Sequence, residues 1–188
     1  KKVRGEIINA DSMQVYRDLR ILSARPLKKN FKNIKHHLYG FQSSKKTFST
    51  GDWLKLAKNK IIEIKKRGKT PILVGGTGLY FKALIEGLVK IPSIPLKFRN
   101  KVRKLQKDIG QKNFYKRLLK IDPILKNKIK STDMQRSIRA YEVKIFTNKS
   151  ILEWFKGTKS SFNKQSFYKI LLDNPREILI EKINRRTE

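Results

Sequence analysis

The run Pro71-Ile72-Leu73-Val74-Gly75-Gly76-Thr77-Gly78-Leu79-Tyr80-Phe81-Lys82-Ala83-Leu84 passes from an apolar segment through a glycine turn into a second apolar pattern. Pro71 to Val74 is short, β-prone and unbroken by charge, which predicts a buried strand. Gly75 to Gly78 reads as a tight turn. Phe81, Ala83, Leu84 and Leu88 then recur as they do in a helix over residues 79–88. Strand, glycine turn and helix in that order indicate an α/β unit with a parallel sheet.

Upstream, Leu54, Ala57, Ile61 and Ile64 fall on one face of a helix over residues 54–67, and Gly68 ends it. Residues 12–50 read as irregular and polar. Gly5 to Ala10 reads as a short buried strand that ends at Asp11. Downstream of Pro92 and Pro95 the pattern changes, and residues 98–155 show helical periodicity only. Asp133 can cap a helix through Ile138, Tyr141 and Ile145, and Ser150 to Glu153 is a capping box. Phe167 to Leu172 reads as a returning strand. Asn174-Pro175-Arg176-Glu177 then opens a last helix with Ile178, Leu179 and Ile183. This divides the chain into a first part of an α/β core (1–91), a basic helical insertion (92–160) and a return to the core (161–188). Three strands make a thin sheet, so neighbouring strands are expected. Lys1 is not Met, apolar residues begin by Ile7, and no C-cap glycine follows the last helix. Both ends are therefore expected to be cut from something longer.

Lys and Arg number 46 against 15 Asp and Glu, a net charge of +31 in 188 residues. Such an excess opposes compaction, and a polyanionic partner is its economical explanation. An AT-rich coding sequence would also raise Lys, Ile and Asn. The absence of Cys excludes disulfides and thiolate metal sites, and two histidines exclude a histidine-rich metal site. No apolar run spans a bilayer and no signal peptide opens the chain, so a cytoplasmic protein is expected.

Three places offer chemistry. Asp11 ends a strand, where open α/β sheets bind ligands. It reads either as a general base or as the cap of the following turn. The turn around Thr77 brings a backbone and a hydroxyl close to a substrate, although strand-to-helix glycine turns are routine. No Gly-Lys-Ser/Thr follows it, so it is not a phosphate-binding loop. Gln135 and Arg139 are four apart on one helix face beside Arg136, suited to phosphate and base-edge contacts or to simple solvation. His36 and His37 are adjacent and do not point together, which favours a structural role.

These segments together resemble the tRNA dimethylallyltransferase (isopentenyltransferase) family. The matching pieces are residues 7–16 (Ile-Ile-Asn-Ala-Asp-Ser-Met-Gln-Val-Tyr), Ser23-Ala24-Arg25-Pro26, His36-His37-Leu38 and the run from Pro71 to Leu84. Asp133-Met134-Gln135-Arg136-Ser137-Ile138-Arg139-Ala140 and Lys149-Ser150-Ile151-Leu152-Glu153-Trp154 follow in order. Each block alone is weak, and the ordered set is specific. The resemblance implies a P-loop NTPase-like parallel core, incomplete here, with a helical insertion that grips a tRNA anticodon stem-loop. It implies transfer of a dimethylallyl group from dimethylallyl diphosphate to the exocyclic amine of the adenosine 3′ of the anticodon. That base is flipped out for reaction. By resemblance Asp11 is the general base and Thr77 contacts the flipped base or reacting groups. Ser12, Met13 and Gln14 line the tRNA side, and Arg99, Gln135, Arg136, Ser137, Ile138 and Arg139 contact tRNA.

The family's Gly-rich loop, which cradles the diphosphate and helps to hold Mg²⁺, has no match in residues 1–188 and is expected before residue 1. Metal ligands are accordingly expected outside this stretch, and residues 1–188 alone are expected to be inactive. A monomer is expected. Leu22 stands where the family has Gly, Tyr141 where it has Leu and Asn148 where it has Gly. The last two are expected to loosen the helical insertion. Two other readings compete with a prenyl-transferring enzyme acting on tRNA. One is a non-catalytic RNA-binding remnant of a broken gene. The other is a prenyltransferase acting on free adenine nucleotides, against which the long basic insertion argues.

Overall fold

A computed structural model describes residues 3–187; Glu188, at the end of the last expected helix, lies outside them. The sheet has three parallel strands in the order β2-β1-β3: β1 (Gly5–Asn9), β2 (His36–His37) and β3 (Thr70–Val74). Helices α1 (Thr50–Lys66) and α2 (Gly78–Glu86) pack on it. The parallel α/β reading therefore holds, with one correction. Phe167 to Leu172 is not a strand: Tyr168, Ile170, Leu171 and Leu172 are exposed and pair with no strand. The third strand lies instead in the stretch read as irregular. Two residues carry too little periodicity to be seen in sequence.

α1 starts with a reciprocal cap. Ser49 Oγ accepts from the Asp52 backbone N–H at 3.2 Å, and Asp52 Oδ2 accepts from the Ser49 N–H at 3.0 Å. It buries Trp53, Leu54, Ala57, Ile61 and Ile64, and ends before Gly68, whose φ is +66°. With Ile8, Ala10, Tyr80, Ala83 and Leu84 these residues form the core. Each large apolar side chain buried there contributes about 1.5–3 kcal/mol. Trp53 stacks on Tyr80 at 4.3 Å and donates its indole N–H to the Asn9 carbonyl at 2.8 Å. That bond anchors the end of β1 to α1.

A second apolar cluster belongs to the helices α3 (Leu96–Ile121), α4 (Met134–Thr147) and α5 (Ile151–Lys156). Val102, Phe114, Leu118, Leu125, Ile129, Ala140 and Tyr141 fill it. Gly110 breaks α3 with φ +72° and ψ 162°, a backbone state open essentially to glycine. The family departures do not loosen this unit. Tyr141 is 6% exposed, packs on Phe114 and takes a hydrogen bond from Arg117 Nε at 3.2 Å. Asn148 sits at φ +57° as the C-cap of α4, where Asn is the usual substitute for Gly. The chain then returns to the first core, where Phe162 and Phe167 pack and Ser160 Oγ donates to the Leu84 carbonyl at 2.7 Å. The last helix is α6 (Arg176–Thr187).

One charged group is embedded in the sheet. Glu6, on β1, has a side chain 1% exposed. Oε2 takes His37 Nε2 at 2.7 Å and Arg67 at 2.8 Å, and Oε1 takes Lys69 at 2.9 Å. Burial alone would raise its pKa. The hydrogen bonds from Lys69, His37 and Arg67 outweigh burial and lower it from 4.5 to about 2. His36 turns elsewhere, stacked on Phe31 at 3.9 Å. The two histidines thus have separate structural tasks.

The Glu6 carboxyl is more acidic folded than unfolded, so its contribution is complete above about pH 4.5 and is lost as pH falls through about 2. Glu6→Gln should cost about 2 kcal/mol or more at pH 7. The gap between variant and parent should narrow as pH falls from 4.5. Urea unfolding at pH 7 and pH 3 measures both. A gap that does not change with pH would remove the carboxylate from this role.

Candidate active site

β1 and β3 end side by side, and their C-terminal loops are stitched together. Ala10 N–H donates to the Val74 carbonyl at 2.8 Å, and Thr77 N–H donates to the Ala10 carbonyl at 3.2 Å. A Cβ added to Gly75 would overlap the Ala10 carbonyl, so only glycine admits this approach. Gly76 and Gly78 face open space, with nothing within 4 Å of an added Cβ. The result is a junction of two loops at the carboxyl ends of two parallel strands, the side on which open α/β sheets bind ligands.

Asp11 stands at its edge, and Asn9 fixes its backbone. Asn9 Oδ1 accepts from the Asp11 N–H at 3.0 Å. Asn9 Nδ2 donates to the carbonyls of Asp11 and Leu38, both at 3.0 Å. Asp11 Oδ1 accepts from the backbone N–H groups of Met13 at 2.8 Å and Gln14 at 3.3 Å. One oxygen therefore holds the turn, as a cap does. Oδ2 takes no hydrogen bond from the described residues. A carboxylate oriented through one oxygen and open at the other is placed to accept a proton.

Thr77 occupies the N-cap position of α2 and does not cap it. Its Oγ1 accepts from the Ser12 N–H at 2.8 Å and donates to Ser12 Oγ at 3.2 Å. A residue type that normally serves its own helix here ties β3 to the Asp11 loop. Met13 is half exposed, whereas Gln14 is turned into the loop, donating to the Ser23 carbonyl at 3.0 Å. Burial, and then the nearby Tyr16, Asp11 and Asp52, push the Tyr80 hydroxyl up to about 12. Tyr80 therefore stays neutral in the core.

The helical unit divides the remaining candidates. Gln135 and Arg136 are exposed at the start of α4, where Asp133 caps the helix and holds Arg136 at 2.8 Å. Ser137 is fully buried, bonded to the Asp133 carbonyl at 2.7 Å and to Gln111 at 3.3 Å. Ile138 packs on the second apolar cluster. Ser137 thus belongs to the packing of α4, whereas Ile138 is only partly buried. Arg99 and Arg139, distant in sequence, meet at the buried Glu142, 3.6 and 3.4 Å from its Oε2. Sequence reasoning missed Glu142 and Asn9. A Glu three residues after Arg139 looks like an ordinary surface pair, and an Asn at a strand end looks like a turn residue.

Among the described residues no group of three or more His, Cys, Asp or Glu side chains could hold a metal ion. Thr77 and one oxygen of Asp11 are already engaged. These residues do not make a magnesium site of their own, so no step is derived through one.

A model of the IPP transferase family matches residues 14–188. The tRNA dimethylallyltransferase of Pelagibacter ubique (strain HTCC1062) is 63% identical over 187 residues, covering 100% of this chain and 60% of that protein. The Rickettsia bellii (strain OSU 85-389) tRNA dimethylallyltransferase is 43% identical over 183 residues, covering 97% and 58%. The chain thus spans about three fifths of the length of these relatives. Among solved structures, the tRNA isopentenylpyrophosphate transferase of Bacillus halodurans is similar with TM-score 0.58 and 33% identity, over 98% of this chain and 57% of that one. A eukaryotic dimethylallyltransferase acting on tRNA is similar with TM-score 0.72 and 30% identity, over 86% and 40%. With a family model matched across residues 14–188 and a parallel α/β core bearing a helical unit, the chain belongs to the IPP transferase family, the tRNA dimethylallyltransferases.

Proposed function

We propose that this chain carries the acceptor half of a tRNA prenyl transfer. The single observation behind this reading is the half-engaged Asp11 beside the strand ends that Gly75 and Thr77 hold together. In the proposed reaction the exocyclic amine of the adenosine 3′ of the anticodon attacks the allylic carbon of dimethylallyl diphosphate. A carbon–nitrogen bond forms, the carbon–oxygen bond to diphosphate breaks, and diphosphate leaves. The amine proton passes to Asp11 Oδ2. An aromatic amine is a weak nucleophile, so a placed carboxylate lowers the barrier as positive charge grows on nitrogen. Thr77 and Ser12, fixed on each other, border the place where the base enters, and the half-exposed Met13 lies at its rim.

The departing diphosphate needs cations and aligned N–H groups. Mg²⁺ would supply charge to its oxygens, and the described side chains offer no ligand cluster for it. Its ligands are therefore proposed to lie outside the residues described here. The net charge of +31, the exposed Gln135 and Arg136 and the half-buried Arg139 and Arg99 support an anticodon stem-loop as the partner. All these groups lie in one chain, so a monomer suffices. No helix among the described residues is long and apolar enough to cross a membrane. With tRNA as substrate, the proposed setting is the cytoplasm. Identity of 63% along 187 residues gives the remnant reading no support.

In the full-length protein, Asp11→Asn keeps an oxygen for the Met13 and Gln14 N–H groups and removes the base. Single-turnover prenyl transfer should fall roughly a hundredfold or more. Stem-loop affinity should change by less than about threefold, because a single uncharged isostere leaves phosphate contacts intact. Near-normal transfer would make Asp11 a cap only.

Arg136→Ala with Arg139→Ala should flatten the plot of log affinity against log salt by about 1–2 units, the share of two phosphate contacts. Filter binding of an anticodon stem-loop between 50 and 300 mM salt, roughly the range where counterion release dominates, reads this slope. An unchanged slope would take α4 out of the RNA interface.

A further inference from the structure

Glu142 is 2% exposed in a unit whose core is otherwise mostly apolar. Two guanidinium groups reach it from different helices. Arg99 on α3 places Nε 3.6 Å from Oε2, and Arg139, less than one turn back on α4, places NH1 3.4 Å from the same oxygen. The side chains of Arg99 and Arg139 are 39% and 41% exposed, so each group has one edge inside and one outside. Arg99 Nε is buried without a hydrogen-bond partner.

This arrangement does not look built for stability. Charge-assisted bonds settle at about 2.7–2.9 Å, the spacing found around Glu6 at the other end of the molecule. At Glu142 both contacts are slack. A buried ion pair is often no better than well-packed apolar residues of similar volume. What the carboxylate does provide is a common reference point for two cations that α3 and α4 deliver separately. Two positive groups share one negative charge, so a surplus remains. Neither guanidinium makes any other hydrogen bond to the described residues. Their outward N–H groups are free and pre-aimed, and a planar fork suits phosphate oxygens.

We propose that Glu142 is a positioning residue that sets Arg99 and Arg139 as a paired seat for one phosphodiester group of the RNA. The inference rests on the reading that these arginines face RNA. Glu142 itself touches no nucleotide. Its part is to hold the two groups at a fixed separation before RNA arrives, so that less ordering entropy is lost on binding.

The charge change gives the test its sign. Glu142→Gln keeps the size and adds one net positive charge, which by itself tightens RNA binding and steepens the salt dependence. Positioning predicts the opposite. In the full-length protein, Glu142→Gln should weaken stem-loop binding about fivefold or more and flatten the salt slope by about one unit, as one phosphate contact is lost. Arg99→Ala with Arg139→Ala should weaken binding further. Adding Glu142→Gln to that double variant should then cause no further loss of RNA affinity. Thermal unfolding of each variant is read in parallel, so that a loss of RNA affinity is told apart from a loss of folded protein.

Equal or tighter binding by Glu142→Gln would overturn the proposal, as would an equal loss in both backgrounds. If the double arginine variant binds as well as the parent, the RNA-face reading fails, and the inference falls with it. Should Glu142→Gln fail to fold, Glu142→Asp, which keeps the charge and shortens the reach, carries the same comparison. Unchanged affinity there would count against positioning.

Discussion

A carboxylate cut off from water holds the sheet together at one end. Glu6 gathers His37 from β2, Arg67 from the end of α1 and Lys69 from the approach to β3. This matters because β2 has two residues and offers few ladder hydrogen bonds. Parallel strands also lack the tight hairpin that sets register in antiparallel pairs. The register must come from side chains, and Glu6 supplies three fastenings from one position on β1. With that end fixed, the pairing of Ile8 with Leu73 and of Asn9 with Val74 follows. The ends of β1 and β3 then emerge level with each other, and their loops meet.

At the opposite end the fastening is by backbone and hydroxyl rather than by charge. Gly75 lies against Ala10, Thr77 bonds to Ser12, and Trp53 holds the Asn9 carbonyl from beneath. Asp11 has no ion-pair partner among the described residues, and two backbone N–H groups on one oxygen aim the carboxylate and leave the other oxygen open.

Legibility followed the physics of each element. β1, β3, α1, α2 and α4 were readable because a hydrophobic period, a cap or a glycine stop marks each one. Asp11 reads as the end of a strand and Thr77 as part of the glycine turn after one, and only the ordered resemblance attaches chemical roles to them. What sequence could not show was pairing at a distance. His37 reads as half of a histidine pair until Glu6 is seen against it, and Glu142 reads as a surface residue until Arg99 arrives from another helix. The error at Phe167 to Leu172 has the same origin. Its apolar run looks like a strand, yet only Phe167 packs on the described core and the rest is exposed.

The break at Gly110 bears on how this protein can change length. A straight helix of 26 residues would run about 39 Å; here the chain turns aside at Gly110, and Phe114 and Leu118 enter the apolar cluster beyond it. Each half of α3 keeps its own rotational phase. One residue inserted between Arg99 and Gly110 would swing the segment before it by about 100°, carrying Arg99 off Glu142 and Val102 out of the packing. The same insertion in the polar loop before β2 has no such lever arm. Gain or loss of single residues should therefore be rare across 99–109 and tolerated across 18–34, whatever substitutions accumulate in either.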